Sequence, residues 1–169
     1  MKWDQTSDAL PPGEDGTRSQ CAALCWRMHR GRVEVLLITS RDTGRWVIPK
    51  GWPMPGKSAA QSAIQEAWEE AGVRGKGQDR PVGQYGYFKI MADKSALPCV
   101  VTVYPLRVKE LASRYPERKQ RRRRWHDAED AAKLVAEPEL RALFLRLAEA
   151  PALLKPSEAA AAIVAVAAR

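Results

Sequence analysis

Histidine and cysteine are scarce in this chain of 169 residues, with two of the former and three of the latter. His29 and His126 are the only histidines, and Cys21, Cys25 and Cys99 contain no CxxC pair, which argues against a zinc site. An odd number of spaced thiols is no disulfide framework and suits a reducing cytoplasm. Long apolar runs are missing as well. The longest, residues 159–168, is ten residues of mostly alanine, too short to span a bilayer. The N-terminus is acidic and polar, where a signal peptide would be basic and then apolar, so no such peptide is expected. No segment repeats. Acid is the scarcer charge: 28 Lys and Arg against 20 Asp and Glu leave +8. That balance favours polyanionic partners such as nucleic acid, phosphorylated metabolites or acidic membranes. What is present is 18.8 kDa of chain, 45% hydrophobic, enough for one domain with a core.

The most informative segment is Gln65-Glu66-Ala67-Trp68-Glu69-Glu70-Ala71-Gly72-Val73. Spacings of three and four put Glu66, Glu69 and Glu70 on one helical face, where like charges repel. They also lie at the C-terminal end, where the macrodipole disfavours anions. Each conflict costs a few tenths of a kcal/mol, roughly. Local rules broken twice in one place often mark function. A divalent cation would compensate, and carboxylate oxygens suit Mg²⁺ or Mn²⁺. A solvated acidic face is the plainer alternative. The helix start is marked by Ser58 with Gln61, a capping box. Gly72 suits its end. Ala60, Ala63, Ile64, Ala67 and Ala71 form the apolar stripe, with Trp68 at its margin. Upstream, residues 49–57 are rich in Pro and Gly and read as a loop, entered from a short strand at 46–48.

Other elements follow from pattern. Residues 21–27 and 33–39 read as strands about a turn at His29-Arg30-Gly31. Asp42-Thr43-Gly44 turns into residues 46–48. Gly75-Lys76-Gly77 reads as a loop. Residues 85–90 and 99–108 read as strands of a hairpin, and Trp125 closes a short one. Residues 129–135 and 139–149 read as helices. Residues 1–17 look like a flexible arm, 18–150 like the folded domain, and 151–169 like an alanine-rich tail.

Gly51 to Val73 resembles the Nudix box: a glycine, five residues, Glu, seven residues, then Arg-Glu-apolar-any-Glu-Glu-any-Gly-apolar. Gly51, Glu66, Ala67, Glu69, Glu70, Gly72 and Val73 match. Two positions depart. Lys57 stands where the pattern has Glu and Gln65 where it has Arg, so the ion pair that braces loop and helix in that family is jointly replaced. A Lys57–Gln65 hydrogen bond could substitute for it.

The resemblance implies an α+β fold, an α/β/α sandwich with a mixed β-sheet, and a metal-dependent phosphoanhydride hydrolase. It assigns Glu66, Glu69 and Glu70 to metal (Mg²⁺ or Mn²⁺) and water activation. The Lys50 carbonyl is a further ligand in several members. Glu117, ahead of Glu110, is the candidate for a carboxylate from outside the box. Residues 36–49, with Ser40-Arg41 and Arg45-Trp46, also look like the diphosphoinositol polyphosphate phosphohydrolases. That subgroup cleaves inositol pyrophosphates and long diadenosine polyphosphates.

Six of the seven residues from Arg118 to Arg124 are basic. A solvated loop, a nucleic-acid contact and a clamp for polyphosphate all fit such a run. Beside the box the clamp is favoured, with Arg122 and Arg124, or Arg121 and Arg123, on one side of a strand. Arg18, Arg41, Arg45 and Lys57 join Arg122 and Arg124 as substrate-binding candidates. Tyr85, Tyr87 and Trp52 could stack a base. The expected partner is a small polyphosphate, with nucleic acid less favoured and no membrane. An RNA 5′-pyrophosphohydrolase, another nucleoside-diphosphate hydrolase and a weakly catalytic binding protein stay open as alternatives.

Overall fold

The computed structural model describes residues 16–155. Most of the expected arm, and the tail from residue 156 with its apolar run, lie outside the described residues. Eight strands and three helices follow in order. They are β1 (Arg18–His29), β2 (Arg32–Thr39), β3 (Trp46–Val47), β4 (Lys50–Gly51), α1 (Ala59–Ala71), β5 (Val73–Gly77), β6 (Gly83–Ile90), β7 (Ala96–Leu111), β8 (Arg123–Asp127), α2 (Ala128–Leu134) and α3 (Pro138–Glu149). Among these residues no helix is long and apolar enough to cross a membrane.

The strands form one sheet with the path β3-β2-β1-β7-β5. β4 adds to β1, β6 to β7 and β8 to β2. β1 and β7 run parallel and the other pairs are antiparallel, so the sheet is mixed. Period-two alternation gives the sheet two buried faces. Ala22, Leu24 and Trp26 of β1 face one way with Val35 and Leu37 of β2, under Ala131, Leu140, Leu143, Phe144 and Leu147 of α2 and α3. Cys21, Ala23 and Cys25 face the other way with Leu36 and Ile38, under Ala63, Ala67 and Ala71 of α1. This is the expected α/β/α sandwich. Each large apolar side chain buried here contributes about 1.5–3 kcal/mol. Small residues on both sides of the α1 contact let that helix approach the sheet closely, which sets the depth of its glutamates.

The capping box is formed: Ser58 Oγ accepts from Gln61 N–H at 3.1 Å, and Gln61 Oε1 accepts from Ser58 N–H at 2.8 Å. Gly72, left-handed at φ 67°, closes the helix.

Residues 75–77 depart from expectation. They read as a loop but lie inside β5, paired with Val108, Arg107 and Leu106 of β7. The register shifts between Arg74 and Gly75, and a Cβ on Gly75 would fall 2.0 Å from the carbonyl oxygen of Arg107. Glycine there marks a bulge with close backbone approach, not a chain reversal. Past α3, Pro151–Leu154 makes a 3-10 turn that buries Leu154.

Candidate active site

A cleft of about 870 Å³ opens where the turn after β2, the β3–β4 segment, α1 and the outer half of β6 meet. Its acidic wall is α1. Glu66 and Glu70 both line it and are only 1% and 3% exposed. Glu66 lies against Gly51, where a Cβ would come 2.4 Å from its Oε1. The bare glycine therefore gives this carboxylate its place. Glu69 is half-buried and outside the lining. It accepts a 3.5 Å hydrogen bond from Gln65, and its carbonyl accepts the Glu117 N–H at 2.9 Å.

That last bond ties the turn at 116–120 to the end of α1 and delivers Glu117, buried, beside the site. Arg121 follows one turn later. Its Nη2 lies 3.4 Å from Glu70, its Nε 3.1 Å from Glu117, and its Nη1 donates to the Thr39 carbonyl at 3.1 Å. Arg41 Nε is 3.8 Å from the same Glu117 oxygen. Arg45 donates to Glu137 Oε1 at 2.7 Å. Glu110 is exposed on β7 opposite Arg74.

The opposite wall comes from β1, β4 and β6. Lys50 lies 5.2 Å from the Tyr87 ring centre, and burial pushes its amine below the ordinary lysine range, against the opposing pull of Glu70. Tyr87 donates to Gln20 Oε1 at 2.5 Å. Trp52 is flanked by Arg18 at 5.4 Å and Lys89 at 5.1 Å from its ring centre. Burial raises the Tyr85 and Tyr87 hydroxyls, so both stay protonated at neutral pH. The Cys21 thiol is pushed up to about 11 by burial and then by Glu66, so this free thiol is no nucleophile.

Of the residues marked in the sequence, Glu66, Glu70, Arg41, Arg45 and Lys50 come together in the cleft lining. Arg122, Arg124, Lys57 and Arg18 do not line it. The strand register explains the arginines. Arg123 lies opposite Ile38, whose side chain faces α1, and Arg124 opposite Leu37, which faces α2 and α3. Directly opposed residues share a face, so the odd-numbered arginines point to the α1 side. Arg122 packs over Trp46 at 5.8 Å and Arg124 is exposed. Lys57 is exposed on the turn before α1, and Gln65 bonds Glu69, so the Lys57–Gln65 contact is not formed. Arg18 reaches the site only through the Trp52 ring. Tyr85 is buried in the core, whereas Tyr87 and Trp52 line the cleft. Sequence reasoning passed over Lys89, Phe88 and Ile90 of β6, which join Gln20, Ser40, Asp42, Thr43 and Val47 in the lining. The period-two pattern of β6 carried the signal, since it sends Phe88 and Ile90 away from Tyr85.

The donor set suits a hard divalent cation: two buried carboxylates on one wall, with Gly51 making room for one of them. As they lie, no three His, Cys, Asp or Glu side chains among the described residues converge to enclose an ion. The Arg121 guanidinium instead holds the position between Glu70 and Glu117.

Comparison with known proteins bears on residues 18–152, which match the NUDIX domain model. Human diphosphoinositol polyphosphate phosphohydrolase 3-beta is 32% identical over 124 residues, 72% of this chain and 71% of that protein. Nudix hydrolase 12, mitochondrial, of Arabidopsis thaliana is 33% identical over 106 residues, 61% of this chain and 52% of that protein. Among solved structures, a C. elegans Ap4A hydrolase superposes with a TM-score of 0.56 at 21% identity, covering 78% of this chain and 96% of that one.

Proposed function

The chain belongs to the Nudix hydrolase family, and on that premise we propose that it is a metal-dependent pyrophosphohydrolase. Its substrate is a highly phosphorylated metabolite of the diadenosine polyphosphate or inositol pyrophosphate type. One observation carries this reading: two buried carboxylates share a cleft with Arg41, Arg45, Lys50, Lys89 and Arg121. Asp42 also lines the cleft, and Arg41, Arg45 and Arg121 lie against Glu117, Glu137 and Glu70. A chain of four or more phosphates, or a phosphate-ringed inositol, carries enough charge to compete with those carboxylates for several guanidinium groups at once.

Glu66 and Glu70 would be the primary ligands of Mg²⁺ or Mn²⁺, with Glu69, Glu117 and the Lys50 carbonyl as further donors. The bound ion supplies charge neutralisation on the phosphates and an acidified water. The chain's own residues do the rest. Arg41, Arg45 and Arg121 present guanidinium forks to phosphate oxygens, a geometry that fixes direction as well as charge. Lys50 and Lys89 add positive charge on the far wall. Attack of water on one phosphorus forms a new P–O bond and breaks the bridging one, the water's proton passes to a carboxylate of the site, and the cationic walls hold the leaving phosphate's growing charge. Tyr87 and Trp52 narrow the cleft around the reacting centre. Three buried free thiols fit work in a reducing compartment such as the cytoplasm.

The test is a hydrolysis screen with and without Mg²⁺ or Mn²⁺. It covers diadenosine penta- and hexaphosphate, an inositol pyrophosphate, ADP-ribose, NADH and triphosphorylated RNA. Metal-dependent turnover highest on the first three supports the reading. Glu66→Gln and Glu70→Gln should each lower kcat by at least about a hundredfold in a folded protein. Preference for RNA, or near-normal turnover in either variant, would overturn it.

A further inference from the structure

Glu137 is the N-cap residue of α3, a place where acceptor side chains commonly turn back to the first N–H groups of the helix. Its carboxylate makes no such bond. It reaches the other way, to Arg45, with Oε1 at 2.7 Å from Nη1. That is a short, charge-assisted contact. The residue is 7% exposed, and its Oε2 is buried with no hydrogen-bond partner. Burying a carboxylate is costly unless it is paired. The fold therefore accepts an uncapped helix end and a half-satisfied carboxylate in order to keep this pair.

The pair joins a rigid corner to a mobile kind of side chain. Pro138 sets the first turn of α3. The Arg141 guanidinium bonds the carbonyls of Ala132 at 3.0 Å and Val135 at 3.2 Å, locking the α2–α3 junction. Glu139 accepts the Gly86 N–H at 2.8 Å, tying the same turn to β6. Arg45, by contrast, sits in the turn between β2 and β3, lines the cleft, and is about one-third exposed. A long side chain there would otherwise sample many rotamers.

We propose that Glu137 is a positioning residue that holds Arg45 as a preset fork for one substrate phosphate. This rests on the reading of the cleft as a polyphosphate site. Two effects of removing the Glu137 charge oppose each other. A cationic cleft would attract an anion more strongly, while Arg45 would lose its fixed direction. Arg45 released from Glu137 would turn further into solvent, where it is already about one-third exposed and where its unmasked charge is screened. Loss of orientation should therefore dominate.

The experiment measures binding of methylenediphosphonate, a non-hydrolysable bisphosphonate, by calorimetry in Mg²⁺. It compares the unaltered protein with Glu137→Gln, Arg45→Gln and the double variant. Side-chain ¹⁵N spectra of Arg45 accompany it. Each single variant should bind about tenfold more weakly, and the double variant no more weakly than Arg45→Gln. Arg45 should show restricted Nη rotation that Glu137→Gln releases. Glu137→Asp, which keeps the charge but pulls it back, should fall between and guards against a folding failure of the Gln variant. Equal or tighter binding by Glu137→Gln or Glu137→Asp would overturn the proposal. So would a Glu137→Gln effect that persists undiminished in the Arg45→Gln background. If the variants behave as expected but no phosphoanhydride is cleaved, the enzymatic reading fails and the positioning role stands. No binding of the probe to the unaltered protein would overturn the positioning role alone, because the hydrolysis screen decides the enzymatic reading separately.

Discussion

The Arg121 guanidinium lies 3.4 Å from Glu70 and 3.1 Å from Glu117, with all three side chains less than a tenth exposed. Two acids from separate parts of the chain are thus brought together around one base. Breaking a buried ion pair by removing one partner costs about 3–5 kcal/mol. For a domain of this size that is a drop in Tm of roughly 10 °C. Arg121→Gln should therefore melt well below the parent in metal-free buffer. Saturating Mg²⁺ should restore part of the loss, because the ion replaces positive charge between the carboxylates. A Tm that is unchanged, or a deficit that Mg²⁺ leaves untouched, would show that Arg121 does not neutralise this site.

The arginine run divides by parity, and kinetics should divide with it. Arg121 lines the cleft, whereas Arg122 covers Trp46 and Arg124 is exposed on the other face. A lost phosphate contact from a partly desolvated arginine costs about 1.5–3 kcal/mol, or roughly ten- to a hundredfold in KM. Arg121→Gln, assayed below its melting range, should show that rise on diadenosine hexaphosphate and a smaller one on ADP-ribose. Arg122→Gln with Arg124→Gln should stay within about twofold on both, as exposed charges do. A large KM rise in that double variant would return Arg122 and Arg124 to the substrate.

The contrast shows where local pattern stops informing. Capping box, apolar stripe and acidic triplet were legible because a helix repeats every 3.6 residues and its caps are single side chains. The sandwich was what the Nudix resemblance implied, and the unbroken apolar runs of β1 and β2 are what strands covered on both faces require. In the run 118–124 six of the seven residues are basic, so parity could be settled only by the β8 register against β2. Arg123 illustrates the loss: its guanidinium donates to the Ala71 carbonyl at 2.8 Å and so supplies the positive charge that α1 lacks in its own last turn. Gly75 misled for a related reason. A glycine that avoids the Arg107 carbonyl looks, in sequence, like one that turns the chain. Glu137 carried no local signal, because its partner lies 92 residues away.

Lys57 and Gln65 do not touch, so the ordinary brace of the box is absent and Gln65 bonds Glu69 instead. Restoring the pair as Lys57→Glu with Gln65→Arg places an exposed ion pair next to the site. Such a pair is worth about 0–1 kcal/mol. Turnover should remain within about tenfold and Tm should rise by no more than a few degrees. A large increase in KM would instead mean that Lys57 holds a substrate phosphate, reached by movement of the turn before α1.

Phe88 and Ile90 line the cleft yet are 69% and 67% exposed. Inositol pyrophosphates present phosphates on every side and offer such a rim little to bind. A nucleobase presents a planar apolar face, and stacking on an aromatic contributes about 1–3 kcal/mol per base. Both side chains are solvent-facing on β6, so truncating them should change stability by no more than about 0.5 kcal/mol. Phe88→Ala should therefore raise KM for diadenosine polyphosphates about tenfold and leave the inositol pyrophosphate KM unchanged, with kcat little altered on either. The measurement is steady-state kinetics on both substrates at one Mg²⁺ concentration. Equal losses on the two would assign Phe88 to the shape of the cleft, and no loss on the nucleotide would remove the base-stacking role and favour inositol pyrophosphate as the substrate class.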